Sequence, residues 1–251
     1  MSLSDRVVKK LVRTVKKEAM TRLDVVSPDM EPEFTELFTE CHKYTMTSPE
    51  RMYALYKAVE YVVRAGIPGD VVECGVWKGG SSMMMALALM HFGDTSRTLW
   101  LYDTFAGMPE PGERDRDRKG HDSVEKWESN QRGDHNEWCY SPLEEVKRNL
   151  ARTGYPADRL VFVQGKVEDT IPGQKPAGTA ILRLDTDWYS STRHELEHLY
   201  PELAPGGVLV LDDYGTWEGA RQATDEYFAS RGPLLLSRID GTARMAVKCH
   251  P

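Results

Sequence analysis

Cysteine is scarce in this chain of 251 residues: Cys41, Cys74, Cys139 and Cys249 stand apart, with no C-x-x-C pair. Neither a disulfide framework nor a zinc ribbon is suggested, and reduced thiols fit best. Long apolar runs are missing as well, and nothing approaches the roughly 20 residues a membrane span needs. The amino terminus, Met1-Ser2-Leu3-Ser4-Asp5, leads into a basic stretch without an apolar core. A secretory signal is therefore not expected, and a cytoplasmic location is. Positive charge is in deficit: 32 Lys and Arg against 39 Asp and Glu leave a net charge of −7. Phosphate binding wants a basic face, which argues against nucleic acid as the main partner.

What remains is an ordinary globular composition, long enough for one α/β domain with an elaborated terminus. The basic stretch Asp5–Met20 places Val7, Val8, Leu11, Val12 and Val15 on one helical face. It is expected to pack on the body or on a second subunit rather than lie on a membrane. A second helix starts at Ser48 as cap, with Pro49 in the first turn and Glu50 complementing the dipole. Met52, Leu55, Tyr56, Val59 and Val62 give it an apolar face, and Ala65-Gly66-Ile67-Pro68-Gly69 ends it.

Beyond that point strand and helix signals alternate. Strands are expected over 70–76, 98–102, 160–164, 179–184 and 207–211, and helices over 81–91, 142–152, 189–200 and 217–231. Two last short strands, 234–239 and 243–248, are split by Asp240-Gly241, a hairpin signal. This order predicts a doubly wound, mostly parallel seven-stranded sheet with an antiparallel edge hairpin, preceded by N-terminal helices. The polar segment Phe105–Trp138 breaks the rhythm and is too long for an ordinary connection. Trp127 and Trp138, with Tyr140 just beyond, favour a lid over a solvated disordered loop.

Two acidic clusters stand where apolar strands end: Leu184-Asp185-Thr186-Asp187 and Leu211-Asp212-Asp213-Tyr214. In open α/β sheets the ligand crevice lies at the carboxyl ends of strands, so both should open into one site. Four carboxylates there would repel one another unless a hard divalent cation held them. Helix caps or turns would explain one acid at each place, but not two. Asp185 and Asp187 in an extended segment point to one side, whereas Asp212 and Asp213 diverge unless the chain turns there.

The first strand runs into Glu73-Cys74-Gly75-Val76-Trp77-Lys78-Gly79-Gly80-Ser81, a glycine turn opening a helix. It does not fit G-x-G-x-x-G, because Trp77 stands where the second glycine should be. The second strand ends at Asp103, at the distance where nucleotide-binding folds place a ribose acceptor, although an Asp there can also cap a turn. His194-Glu195-Leu196-Glu197-His198 matches H-E-x-x-H formally. On a helix whose buried stripe is Tyr189, Thr192, Leu196, Leu199 and Leu203, both histidines should face away from the core. A zinc protease is therefore not expected.

Taken in order, these stretches resemble class I S-adenosylmethionine-dependent methyltransferases, and more specifically the macrocin O-methyltransferase family, which methylates sugar hydroxyls of antibiotics. The matching runs are 44–52, 69–80, 102–107, 182–187 and 211–214, and they leave out mainly the first forty or so residues. The resemblance implies magnesium held by Asp185, Asp212 and Asp213, with Asp187 as general base. It places Glu73, Gly75 and Trp77 at the methionine end of the cofactor, Asp103 at the ribose, and Gly165 and Val167 beside the adenine. Cys74, Val76, Ser81, Thr104, Phe105, Gly107, Asp185 and Thr186 would complete the cofactor site, with Thr45 and Met46 folding over it. Residues 1–66 then form a helical extension and cofactor lid, and residues 67–251 the methyltransferase domain. The family also implies a homodimer or higher homo-oligomer and a small glycoside or sugar acceptor.

The implied chemistry is transfer of a methyl group to one hydroxyl of a vicinal diol, with Asp187 taking the proton. A catechol-type methyltransferase would use the same metal logic on phenolic hydroxyls. A nicotinamide-dependent oxidoreductase is disfavoured by Trp77. A non-catalytic nucleoside-binding module would have no need of the four strand-end aspartates.

Overall fold

The computed structural model describes residues 27–249. The helix expected over Asp5–Met20 lies outside the described residues. Two helices, α1 (Pro32–Cys41) and α2 (Pro49–Arg64), precede β1 (Asp70–Cys74), α3 (Gly80–His91) and β2 (Leu99–Asp103). An excursion then carries α4 (Val124–Asn130) and a small hairpin, β3 (Gln131–Arg132) with β4 (His135–Asn136). Next come α5 (Leu143–Ala151), β5 (Leu160–Gln164), α6 (Val167–Thr170), β6 (Thr179–Leu184) and α7 (Tyr189–His198). The chain closes with β7 (Leu203–Leu211), α8 (Glu218–Ala229), β8 (Ser237–Arg238) and β9 (Arg244–Val247).

The main sheet has seven strands in the order β5-β2-β1-β6-β7-β9-β8. Pairing is parallel from β5 to β7, and β9 joins antiparallel to β7. This is the doubly wound sheet with an antiparallel edge that the alternation predicts. The order runs outward from β1 in one direction and from β6 in the other. The crevice of such a sheet therefore opens where the carboxyl ends of β1 and β6 lie side by side.

Strand residues alternate between two cores, as the period of two requires. Val71, Leu99, Leu101, Ile181, Val208 and Val210 pack with α1, α2 and α3 on one face. Val72, Tyr102, Val163, Leu182, Leu209 and Leu211 pack with Leu196, Leu199 and Tyr227 on the other. α1, not foreseen in the sequence, buries Phe34, Phe38 and Cys41 at helical spacing, and Phe34 meets Tyr53 of α2 at 5.1 Å. α2 is capped as expected, Ser48 Oγ accepting from Arg51 N at 3.2 Å.

Boundaries differ where packing overrides local signals. β7 starts at Leu203 rather than Gly207 and contains a register irregularity between Leu203 and Val208, opposite Thr179 and Ile181. The closing hairpin pairs only Ser237–Arg238 with the strand Arg244–Val247, shorter than the apolar pattern suggests. The segment Phe105–Trp138 is not a disordered loop. Trp127 Nε1 donates to Met108 O at 2.9 Å, Asn136 N to Ala106 O at 2.8 Å, and Arg118 N to Thr216 O at 2.9 Å. Asp115, 3% exposed, accepts from Tyr189 N at 2.7 Å and so caps α7 from within this segment.

Candidate active site

Gly75 has φ 85, and a side chain there would collide with the Asp185 backbone. Only glycine lets β1 and β6 approach this closely at their carboxyl ends. Asp103 fixes the turn that follows: its Oδ2 accepts from Val76 N at 2.7 Å and Trp77 N at 3.0 Å, its Oδ1 from Phe105 N at 2.7 Å. The residue expected to hold a ribose thus spends much of its acceptor capacity on the turn itself. Burial pushes its carboxyl up, against these bonds.

Around this turn lies a cleft of about 690 Å³. Gly75, Trp77, Asp103, Thr104, Gly107, Gly165, Val167, Asp185, Thr186 and Asp187 line it. Met46, 60% exposed, borders it. Tyr102, Met108, Pro109, Cys139, Lys166, Glu168 and Ser191 also line it, none of them singled out in the sequence.

Other expected cofactor residues lie behind this surface. Cys74, Val76 and Phe105 are buried in the cores. Thr45, 8% exposed, accepts from Thr47 N at 3.0 Å, and its segment packs so tightly on α3 that Gly80 has no room for a Cβ. Ser81 is 4% exposed, with Arg183 Nη1 at 3.4 Å. Glu73 does not line the cleft: it is fully buried and pairs with Arg183 Nη1 at 2.6 Å, with Ser82 Oγ donating to its other oxygen. Glu73 and Arg183 are register partners across β1 and β6, which makes the contact a cross-strand pair.

The strand-end aspartates do converge. Asp185, Asp212 and Asp213 each offer an oxygen, all within 4.8 Å of one another. Asp187 reaches them by a turn and not by extended backbone, with φ 66 and its N–H on Asp213 Oδ2 at 3.2 Å. Asp212 and Asp213 come together because the chain turns after them, Thr216 N donating to Asp213 O at 2.9 Å.

Repulsion here is offset by protein cations the sequence reading passed over. Arg183, 1% exposed, places Nη2 at 2.7 Å from both Asp185 Oδ2 and Asp212 Oδ1. Arg51 pairs with the other oxygen of Asp212 and, through Nε, with Asp240 at 3.1 Å. Burial works against the Arg183 charge, yet Asp185, Asp212 and Glu73 keep it protonated. Two guanidinium groups still fall short of Asp185, Asp187, Asp212, Asp213 and Glu73. Burial, reinforced by the neighbouring aspartates, pushes the Asp185 and Asp213 carboxyls up. Asp187 is also raised, burial again leading, while bonds from Asp213 and Trp217 restrain it. An all-oxygen donor set with surplus negative charge fits a hard divalent cation.

His194 and His198 of the H-E-x-x-H run are not among the three converging metal-ligating residues found in the described residues, which are Asp185, Asp212 and Asp213. Both histidines are half-buried rather than outward-facing, and His194 Nε2 sits 2.9 Å from Ile171 O. The buried member is Glu195, fully enclosed, with Thr186 Oγ1 donating to its Oε1 at 3.0 Å. Its place beside Leu196 on the buried stripe is the signal that could have found it.

The comparisons agree with this geometry. The macrocin-O-methyltransferase (TylF) family profile matches residues 7–246. The chain is 38% identical over 220 residues to the 8-demethyl-8-(2,3-dimethoxy-alpha-L-rhamnosyl)-tetracenomycin-C 4'-O-methyltransferase of Streptomyces olivaceus, covering 86% of this chain and 79% of that one. To the mycinamicin III 3''-O-methyltransferase of Micromonospora griseorubida it is 34% identical over 186 residues, 73% of this chain and 70% of the relative. The solved structure of the O-methyltransferase NovP superposes with a TM-score of 0.73 at 32% identity, covering 82% of this chain and 83% of the other. The chain belongs to the macrocin-O-methyltransferase family and is an O-methyltransferase.

Proposed function

We propose that the chain transfers the methyl group of S-adenosylmethionine to one hydroxyl of a vicinal diol on the sugar of a glycosylated natural product, with magnesium. The observation that carries this is the placement of Asp187. It lines the cleft and stands at the edge of the cluster Asp185, Asp212 and Asp213. The relatives named for a rhamnosyl tetracenomycin and for mycinamicin III support a sugar acceptor.

When bound, the donor supplies an electrophilic sulfonium methyl, and a divalent cation lowers the pKa of an acceptor hydroxyl. Asp185, Asp212 and Asp213 would hold that cation. Asp187, raised by burial and close to the ordinary hydrogen-bonding neighbours of a base, would take the hydroxyl proton. Gly75 and the turn clamped by Asp103 would let the donor lie against backbone, and the segment Phe105–Trp138 would keep water out. Proximity of the two bound reactants would supply much of the acceleration. A homo-oligomer in the cytoplasm remains part of the proposal.

The test is calorimetric titration of S-adenosylhomocysteine into metal-free protein, repeated with magnesium and with a vicinal-diol glycoside. Binding, with magnesium needed for the glycoside, supports the reading; absence of S-adenosylhomocysteine binding refutes it. Asp187→Asn should abolish turnover with S-adenosylhomocysteine affinity nearly intact.

A further inference from the structure

Asp187 lines the donor cleft, and its N–H and that of Trp217 both bond to Asp213. The Trp217 side chain helps to hold the Asp187 carboxyl down against the effect of burial. Its ring stands 5.1 Å from Trp188 and 6.0 Å from Trp138, centroid to centroid. Trp188 is 1% exposed and donates Nε1 to Pro109 O at 3.0 Å, so it serves as a fixed backing. Trp138 carries Lys126 Nζ over its ring at 3.7 Å. Trp217 and Trp138 both remain half-buried, and neither lines the donor cleft.

In-line methyl transfer requires the acceptor oxygen to approach from the side opposite the sulfonium sulfur. A base acting on that oxygen must touch it, so the acceptor has to lie beside Asp187, with its oxygen at the methyl end of the donor cleft. Trp217 adjoins Asp187 through Asp213 without lining the donor cleft, so an acceptor ring beside Asp187 would reach it. Pyranose rings present an apolar C–H face that stacks on electron-rich indoles, and a ring already held by its neighbours loses little freedom on stacking. We propose, on the basis of the methyltransferase reading above, that Trp217 is the platform for the acceptor sugar ring, with Trp138 as its second wall. The pair would select pyranosides that offer an apolar face, deoxy sugars above all, over small acyclic diols.

The test uses the full chain saturated with S-adenosylhomocysteine and magnesium, with methyl α-L-rhamnopyranoside as probe. Calorimetry should detect rhamnoside binding, accompanied by a change in tryptophan emission. Trp217→Leu should weaken it by about tenfold, and Trp217→Phe, which keeps an aromatic face, by no more than about threefold. S-adenosylhomocysteine affinity should hold in both variants. Should Trp217→Leu lose that affinity through misfolding, Trp138→Leu decides, with a loss of about threefold or more expected. Rhamnoside binding that is unchanged in the decisive variant, or absent from wild type that binds S-adenosylhomocysteine, overturns the platform. Failure to bind S-adenosylhomocysteine at all instead overturns the methyltransferase reading, and this inference with it.

Discussion

Arg183 donates from Nη2 to Asp212 Oδ1 at 2.7 Å, and with its other nitrogen holds Glu73 on the neighbouring strand. The contact makes the floor of the aspartate cluster part of the sheet. Acidic residues that look from the sequence as if only a metal could hold them are partly held by the protein itself. The same guanidinium reaches Thr47 Oγ1 at 3.3 Å, so the segment beside Met46 rests on the cluster too.

Replacing Arg183 should therefore be costly even without metal. Arg183→Met leaves the buried Glu73 carboxylate uncompensated and Asp212 with Arg51 alone, a loss of about 3–5 kcal/mol. Arg183→Lys keeps the charge but not the fork that serves several acceptors at once, and should fall between. Urea unfolding in chelator measures both. A cost for Arg183→Met below about 1 kcal/mol would mean the carboxylates simply take up protons, and the pairing would lose its importance.

Asp212 and Asp213 are adjacent yet should respond differently to neutralisation. Asp212 carries Arg51 and Arg183, whereas Asp213 meets mainly other carboxylates, which with burial push it up. Asp213→Asn should weaken magnesium binding by about tenfold or more while leaving metal-free stability unchanged or higher. Asp212→Asn should weaken magnesium and also destabilise the metal-free fold. Magnesium titration and chelator melts on each variant give the comparison; equal metal-free stabilities would contradict the distinct roles.

The part of this site that was legible is the part that obeys local rules. Strand-end position marks Asp185, Asp187, Asp212 and Asp213, and the glycine turn marks Gly75. Arg183 stands in the same run, but its role depends on a register partner 110 residues away. The left-handed turn at Asp187 is equally hidden, because nothing in an Asp residue requires φ 66. Glu195 escapes notice because H-E-x-x-H draws the eye to its histidines. The helix α1 is legible in retrospect, as Phe34, Phe38 and Cys41 share one face.

Metal-free stability should depend on pH in a direction the cluster dictates. Burial raises Asp185 and Asp213 above their unfolded values, so between about pH 4 and neutrality the folded chain holds protons the unfolded chain has released. Stability then falls as pH rises through the folded values. Asp240 has the opposite sign: although burial opposes it, bonds from Ala243, Thr242 and Ser48 hold it at about 2. Its contribution is lost only as pH drops below the ordinary carboxylate range, outside this window. Melting temperature in chelator should decline from pH 5 toward pH 8, flattening when magnesium is saturating. A rise over the same span in chelator would show that the carboxylates are not destabilised as described.

Asp115 offers a test of the segment Phe105–Trp138. Its carboxylate accepts from Gly112 N and from Tyr189 N, both at 2.7 Å, and a side chain at Gly219 would run into it. One residue thus fastens this segment to the first turn of α7 and packs it against the first turn of α8. Asp115→Ala removes the cap of α7 and leaves buried N–H groups unpaired, costing about 1–3 kcal/mol. Loosening should be local, because the sheet and its two cores do not depend on this contact. Limited proteolysis should then cut within residues 110–122 of the variant while the wild type resists, and the Michaelis constant for the acceptor should rise more than that for the donor. Asp115→Asn, which keeps an acceptor oxygen, should restore most of the resistance. If Asp115→Ala were cut no faster than wild type, the segment would be held by its other contacts, Trp127 to Met108 and Arg118 to Thr216, and Asp115 would matter only as a cap.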